Sequence, residues 1–599
     1  MGGTGVPRRT SSPYATEPIT RKLGEGVSLP ENVNSTLGIP DFLVSLDQLE
    51  ASLPNCRSAS LVVAWFGNDL RAGHCEIRPG VEVSAKTTQP RSWGVNGVSR
   101  GDAHEVSRDA KGDPVYGGTP ADFAVVQAIQ ELKARGFRVT FYPFILMDVP
   151  ADNTLPDPYS NSAAGSGQPA FPWRGRITCS PAASYTGSVD QTAAAAAQVA
   201  AFFGDAQPSD FAVSGGSVHW TGPSDDWGLR RMILHYAHLC DAAGGVDAFL
   251  IGSEIRGITQ VRSGAAVYPA VQAFLDLAAA CRAILGSGTK ISYAADWSEY
   301  FGHHPQDGSG DVFFHLDPLW ADANVDFVGI DNYMPLSDWR DGGDHLDALA
   351  GWPAVHDLGY LQSNIEGGEG FDWFYASAAD RDAQVRTGIT DGAAGKPWVF
   401  RYKDLKSWWS SQHFNRPGGA ESGSPTAWVP EAKPIRFTEA GAPAVDRGTN
   451  QPNVFIDPKS SESFLPYFSR GFRDDFIQRR YVEALCRYWN APSHNPASGV
   501  YAGRMIETGE IAFWSWDARP FPAFPARGDV WTDGGNWRLG HWLTGRLGGT
   551  GLAELVRELG RRGGLPEGLA DTGQLAASVP GYLVTGLESA RGSIEPLIS

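Results

Sequence analysis

Cysteine is scarce in this chain of 599 residues, and its spacing is uninformative for metals. The six cysteines at 56, 75, 179, 240, 281 and 486 form no C-x-x-C pair. That argues against a structural zinc site, and they read as buried thiols made in a reducing compartment. No run of about 18 apolar residues exists, so no transmembrane helix is expected. The opening Met1-Gly-Gly-Thr-Gly-Val-Pro-Arg-Arg has no apolar h-region of a secretory leader. Basic clusters are missing too. Arg230-Arg231 and Arg479-Arg480 are isolated pairs in a chain of net charge −18. Such a surface repels phosphates, so nucleic acid is not an expected partner. Three catalytic or nucleotide signatures are absent: G-x-G-x-x-G after a strand, G-x-x-x-x-G-K-[ST] and H-E-x-x-H. His303-His304 and His315-x-Asp317 match no strong ligand spacing. Neither a metal nor a cofactor is expected.

What the chain has is apolar mass and aromatic side chains. Hydrophobic residues make up 42%, with 20 Trp, 18 Tyr and 29 Phe. Gly (71) and Pro (41) are interleaved with them, which suggests long ordered loops rather than disorder. Trp-bearing loops suit the stacking of sugar faces, although aromatics also dominate ordinary cores. Residues 1–37 are polar and aperiodic, and read as a linker or the end of a preceding segment. Strands are expected at 58–65, 138–145, 211–220, 246–253, 290–295, 325–330, 434–438 and 511–516, alternating with helical patterns. The third is the weakest. Long insertions fall at 71–118, 150–188 and 337–430. Eight strands alternating with helices favour an α/β fold, a (β/α)8 barrel over 38–548. A doubly wound sheet is disfavoured because no Gly-rich phosphate loop follows a strand. Residues 549–599 cannot bury a full core alone and read as the start of a second domain.

Two apolar runs end in glutamate: Asp247-Ala-Phe-Leu-Ile-Gly-Ser-Glu254 and Lys433-Pro-Ile-Arg-Phe-Thr-Glu439. In a barrel, both carboxyls would emerge at the C-terminal ends of strands, where catalytic groups sit. Such a pair is what a glycosidase needs to flank a sugar bond. Burial would raise the pKa of Glu254 and suit it to general acid work. Glu439 would be the nucleophile if the carboxyls lie about 5–5.5 Å apart. The bland alternative is a solvated strand end or a salt bridge to Arg256 or Arg436. Tyr333 is placed to donate a hydrogen bond to Glu439, and Trp516 to floor the sugar site. Trp65, Asp69, Ser253, Asp296, Trp297, Asn332 and Trp514 complete the expected substrate-binding set.

Longer strings carry a family resemblance. They include Ala64-Trp-Phe-Gly-Asn-Asp-Leu-Arg71, Tyr116-Gly-Gly-Thr-Pro, Pro172-Trp-Arg-Gly-Arg-Ile-Thr and Ile251-Gly-Ser-Glu-Ile-Arg-Gly. Others are Tyr293-Ala-Ala-Asp-Trp-Ser-Glu-Tyr, Val328-Gly-Ile-Asp-Asn-Tyr-Met-Pro-Leu-Ser-Asp-Trp, Lys433-Pro-Ile-Arg-Phe-Thr-Glu and Phe513-Trp-Ser-Trp-Asp-Ala-Arg-Pro. Over residues 38–548 the chain resembles the TIM-barrel-like region of the large baseplate ("megatron") protein of gene transfer agents and related tailed phages. Residues after about 550 look like the tail-hub domain that follows in that family. The resemblance implies synthesis in the bacterial cytoplasm, assembly into a phage-like particle beside other tail proteins, a trimeric hub and a role in crossing the cell envelope. The barrel is also similar to clan-A glycoside hydrolases, which carry an acid/base glutamate after strand four and a nucleophile after strand seven. Glu254 and Glu439 match those positions. The clan usually has Asn before the acid/base, and here it is Ser253. The resemblance therefore implies a retaining glycosidase on peptidoglycan or another envelope glycan. Its alternative is a non-catalytic glycan-binding or structural baseplate module.

Overall fold

The computed structural model describes residues 13–161, 167–392, 394–546, 549–575, 577–579 and 581–598. Six parallel strands form the central sheet: β1 (Ser58–Gly67), β2 (Arg138–Met147), β3 (Ala248–Ser253), β4 (Lys290–Asp296), β5 (Val328–Asn332) and β6 (Ile435–Ala440). They lie side by side in chain order, with the short antiparallel strand Ile77–Arg78 on the outer edge of β1. Their sequences are near-continuous apolar runs because both faces are covered. On the inner face, Val62, Ala64, Tyr142, Phe144, Ala248, Leu250, Ala294 and Phe327 gather into one interior cluster. On the outer face, Leu61, Val63, Trp65, Phe141, Phe249, Ile251, Ile330 and Phe437 belong to the main core.

The helices are α1 (Asp41–Ser52), α2 (Asp122–Ala134), α3 (Ala193–Phe203), α4 (Leu229–Ala242), α5 (Pro269–Leu285) and α6 (Asp475–Asn490). Their ends follow ordinary rules. Proline opens α5, and Gly286 closes it at φ +70°.

The expected eight strands are not what forms. Residues 211–220 make an antiparallel hairpin outside the sheet, pairing Phe211 with Trp220 and Ser214 with Ser217. Gly215 and Gly216 both take positive φ there, the requirement of a two-residue hairpin turn. β2 therefore pairs directly with β3, Thr140 against Ala248. Glu254 thus follows the third parallel strand and Glu439 lies on the sixth. The expected eighth strand is not a regular strand. It runs along the free edge of β6, with Ala512 N–H donating to Phe437 O and Trp514 N–H to Ala440 O. Nearby, Ser58 Oγ and Arg138 Nη2 both donate to Gly509 O, which brings this segment back to β1 and β2.

Part of the expected N-terminal linker is ordered against this scaffold. Tyr14 is buried and donates to Val62 O at 2.7 Å, and a hairpin joins Thr20–Gly24 to Val27–Pro30. Residues 1–12 lie outside the described set. At the other end, Thr550–Gly551 pairs with Ser578–Val579, and Glu554 meets Arg480 of α6. The 337–430 insertion packs into the main core. Trp398, Trp408 and Trp428 surround His413, which also contacts Asp317. Much of the tryptophan content is thus packing. All six cysteines are free, and among the described residues no helix is long and apolar enough to cross a membrane.

Candidate active site

Two register irregularities build the site. One extra residue enters β3 opposite β4, between Leu250 and Ser253. Another enters β6 opposite β5, where Ile330 faces Phe437 but Asp331 faces Glu439. Bulges re-aim side chains next to functional sites. Here they bring Ser253, Glu254, Thr438 and Glu439 together over the interior of the curled sheet. One carboxyl oxygen from each of Glu254, Asp331 and Glu439 lies within 4.8 Å of the other two. Both glutamates are buried, at 7% and 5% exposure.

Each carboxyl has a distinct set of partners. Glu254 Oε2 accepts from the Trp173 indole at 2.9 Å and meets the Arg174 guanidinium at 2.9 Å. Glu439 Oε2 accepts from Tyr333 OH at 2.5 Å, while its buried Oε1 has no hydrogen-bond partner. Asp331 accepts from Tyr142 OH at 2.9 Å and Thr438 Oγ1 at 2.6 Å. Arg174 ties the group together. It donates to Ser253 Oγ at 2.6 Å and to Ser253 O at 3.0 Å, and its guanidinium sits 3.5 Å over the Phe144 ring. Trp514 stacks near the same Phe144 ring.

Crowding three carboxyls in a dry site favours their neutral forms. Burial, then the charge of Glu254, pushes Glu439 up to about 7, against Arg174 and the hydroxyls of Tyr333 and Tyr142. Burial and the two glutamates push Asp331 well above the usual carboxylate range. Asp296, at the end of β4, is raised to about 6 by burial and by Glu254. Arg174 is the resident counter-charge. The three carboxyls offer oxygens at a spacing a divalent cation can bridge, but this guanidinium already neutralises part of their charge.

The expected residues divide cleanly. Ser253, Glu254, Tyr333 and Glu439 meet at the site, with Asp296 and Trp514 beside them. Trp297 packs edge-on against Tyr402, 4.7 Å between centroids, near the rim. Three others are corrected to structural positions. Trp65 points outward and donates its indole N–H to Tyr236 of α4. Trp516 is buried against α1, its indole N–H on Ser45, and floors nothing. Asp69 is consumed by Arg71 and Gln168. Asn332 turns away from the interior, using Oδ1 on Met334 N–H and its carbonyl on Tyr481 OH. Strand alternation explains this: Asp331 and Tyr333 share one face and Asn332 the other. The sequence reading missed Asp331, Tyr142, Trp173 and Arg174. That alternation could have found Asp331. Trp173 and Arg174 lay inside a string already singled out, without a strand end to point to them.

A family model described as "GTA TIM-barrel-like domain" matches residues 227–525, which include Glu254, Asp331 and Glu439. No curated protein matches the chain. Among solved structures, the chain is similar to a GH113 beta-1,4-mannanase complex at 12% identity, covering 85% of this chain and 89% of that one, with a TM-score of 0.36. It is similar also to the GH113 beta-mannanase AaManA from Alicyclobacillus acidocaldarius in complex with ManMIm, at 13% identity over 90% and 94% of the two chains, TM-score 0.35. Through residues 227–525, this chain belongs to the GTA TIM-barrel-like domain family.

Proposed function

We propose that the domain is a retaining glycoside hydrolase of a phage-like particle, cutting a glycan of the bacterial envelope from the tail tip. One observation carries the reading: carboxyl oxygens of Glu254 and Glu439 lie within 4.8 Å at the ends of parallel strands. That closeness suits direct attack on the sugar better than a gap holding a water. In this reading Glu439 Oε1, which has no hydrogen-bond partner, attacks the anomeric carbon while Tyr333 holds Oε2. Glu254 gives its proton to the departing oxygen and then activates water. Trp173 and Arg174, both on Glu254 Oε2, must release it for this to happen. The particle's other tail proteins and a trimeric hub are the partners this reading implies.

The same contacts support a second reading. Arg174 and Trp173 occupy Glu254 Oε2, and burial with the charge of Glu254 raises Glu439 to about 7, which works against an ionised nucleophile. The domain would then bind glycan, or brace the tail tip, without cleaving. Hydrolysis of purified envelope glycans by wild-type protein and Glu439→Gln separates the two. The hydrolase reading expects cleavage that Glu439→Gln abolishes while glycan binding persists. Binding without cleavage by the wild type supports the second reading, and equal cleavage by both proteins removes Glu439 from the chemistry.

A further inference from the structure

Beside the glutamates lies a group of side chains that two-carboxylate chemistry does not use. Arg256 opens the short helix Arg256–Thr259, two residues past Glu254. Among the described residues it makes no ion pair, and its buried Nε has no hydrogen-bond partner. Its neighbours behave otherwise: Arg174, Arg262 and Arg416 are paired with Glu254, Asp190 and Asp391. Asp296 feels the charge of Arg256, yet its carboxylate is taken by the Ser298 N–H at 2.9 Å and the Ser298 hydroxyl.

Three histidines share the charge of Arg256. Burial first, with positive neighbours, holds His303 down to about 2, His304 to about 4 and His315 to about 3. His304 Nε2 is buried without a partner. His315 is 4% exposed, with the Phe313 backbone near its ring but outside hydrogen-bond geometry. The cluster reaches solvent along aromatic faces: His304 lies 5.0 Å from Phe301 and 5.7 Å from Phe400, which is 38% exposed. A guanidinium fork is weakly hydrated and matches a carboxylate with two parallel hydrogen bonds. The neutral His304 ring adds a donor without adding repulsion for other cations.

We propose that Arg256 and His304 form a subsite for a carboxylate carried by the glycan, on the sugar adjoining the one held at Glu254. Its place next to the reacting sugar rests on the hydrolase reading; the anion site itself does not. A sugar carboxylate comes either from a uronic acid or from the lactyl ether of muramic acid.

Calorimetric binding to the full chain carrying Glu439→Gln tests both sources without turnover. One arm compares cellobiose with cellobiouronic acid. The other compares diacetylchitobiose with N-acetylglucosaminyl-N-acetylmuramic acid. The acid should bind about tenfold more tightly than its neutral partner in at least one arm, the size of one charge-assisted contact. Adding Arg256→Gln should erase that gap at an unchanged melting temperature. If Arg256→Gln does not fold, Arg256→Lys keeps the charge but loses the fork, and the gap should narrow at least threefold. Equal affinities in both arms, or a gap that neither Arg256 variant reduces, overturn the subsite and leave the hydrolase reading standing. A charge-dependent gap in a wild-type protein that cleaves nothing does the opposite.

Discussion

Glu254 holds a backbone conformation that few glutamates adopt. Its φ is +48°, in the left-handed region, where a side chain with a Cβ costs on the order of 1–2 kcal/mol. Hydrogen bonds hold it there. Glu254 N–H donates to Ala294 O, and Ile255 N–H donates to Tyr293 OH at 2.9 Å. Tyr293 OH in turn donates to Glu299, which burial raises to about 8. The strain is local and falls on one of the three residues whose carboxyls meet over the interior. Two outcomes follow at this scale. Glu254→Gly should melt higher than Glu254→Ala, because only glycine is at ease at this φ; equal melting temperatures would mean the strain is not real. If Glu254 is the acid, Glu254→Ala should slow poor leaving groups by about 10²–10⁴ and activated aryl glycosides far less. A uniform loss across leaving groups would assign the proton to another residue.

At the scale of elements, two distant strings make one structure. The short turn Arg174–Arg176 docks on the helix Arg256–Thr259, and Gly257 is the point of contact. A Cβ there would lie 2.4 Å from Ile177 O and 2.7 Å from Gly175 O. Gly257→Ala should therefore push the Trp173–Arg174 turn off Glu254 and cost about 1–3 kcal/mol. Thermal melts and the change in Trp173 fluorescence would read this, and an unchanged protein would mean the turn docks elsewhere. Much of this element level was legible in the sequence. The strings around Glu254, Tyr333 and Glu439 end strands, and periodicity finds strand ends. The hairpin at Gly215-Gly216 was also legible as a turn signal, but its flanking apolar residues read as one strand. Two things were not legible. A bulge adds a residue with no sequence mark, so alternation alone cannot tell that Ser253 and Glu254 both serve the interior. Arg174 reaches the site from a loop nearly eighty residues before Glu254, and nothing in its local pattern names its partner.

The whole molecule inherits the cost of the crowded carboxyls. Glu439, Asp296 and Glu299 have folded values of about 7, 6 and 8, each raised above its ordinary value. These three carboxyls bind more protons in the native state than in the unfolded chain between about pH 4.5 and 8, so their contribution to stability is lost as pH rises through that window. The depressed His303, His304 and His315 act in the opposite sense below about pH 6.5. The melting temperature of the wild type minus that of Glu439→Gln should fall from pH 5 to pH 8.5, most steeply near pH 7. A constant or rising difference over the same range would contradict the buried-carboxyl picture. The same fold also binds its beginning to its end. Ser45 Oγ donates to Asp517 O and Gln48 Nε2 to Phe521 O, so α1 meets contacts more than 470 residues downstream. At translation speeds of 5–20 residues per second, that helix waits roughly 20 to 100 s on the ribosome before its partners exist. The nascent chain spends this interval with that side of α1 uncovered, which makes α1 a natural client of a ribosome-associated chaperone.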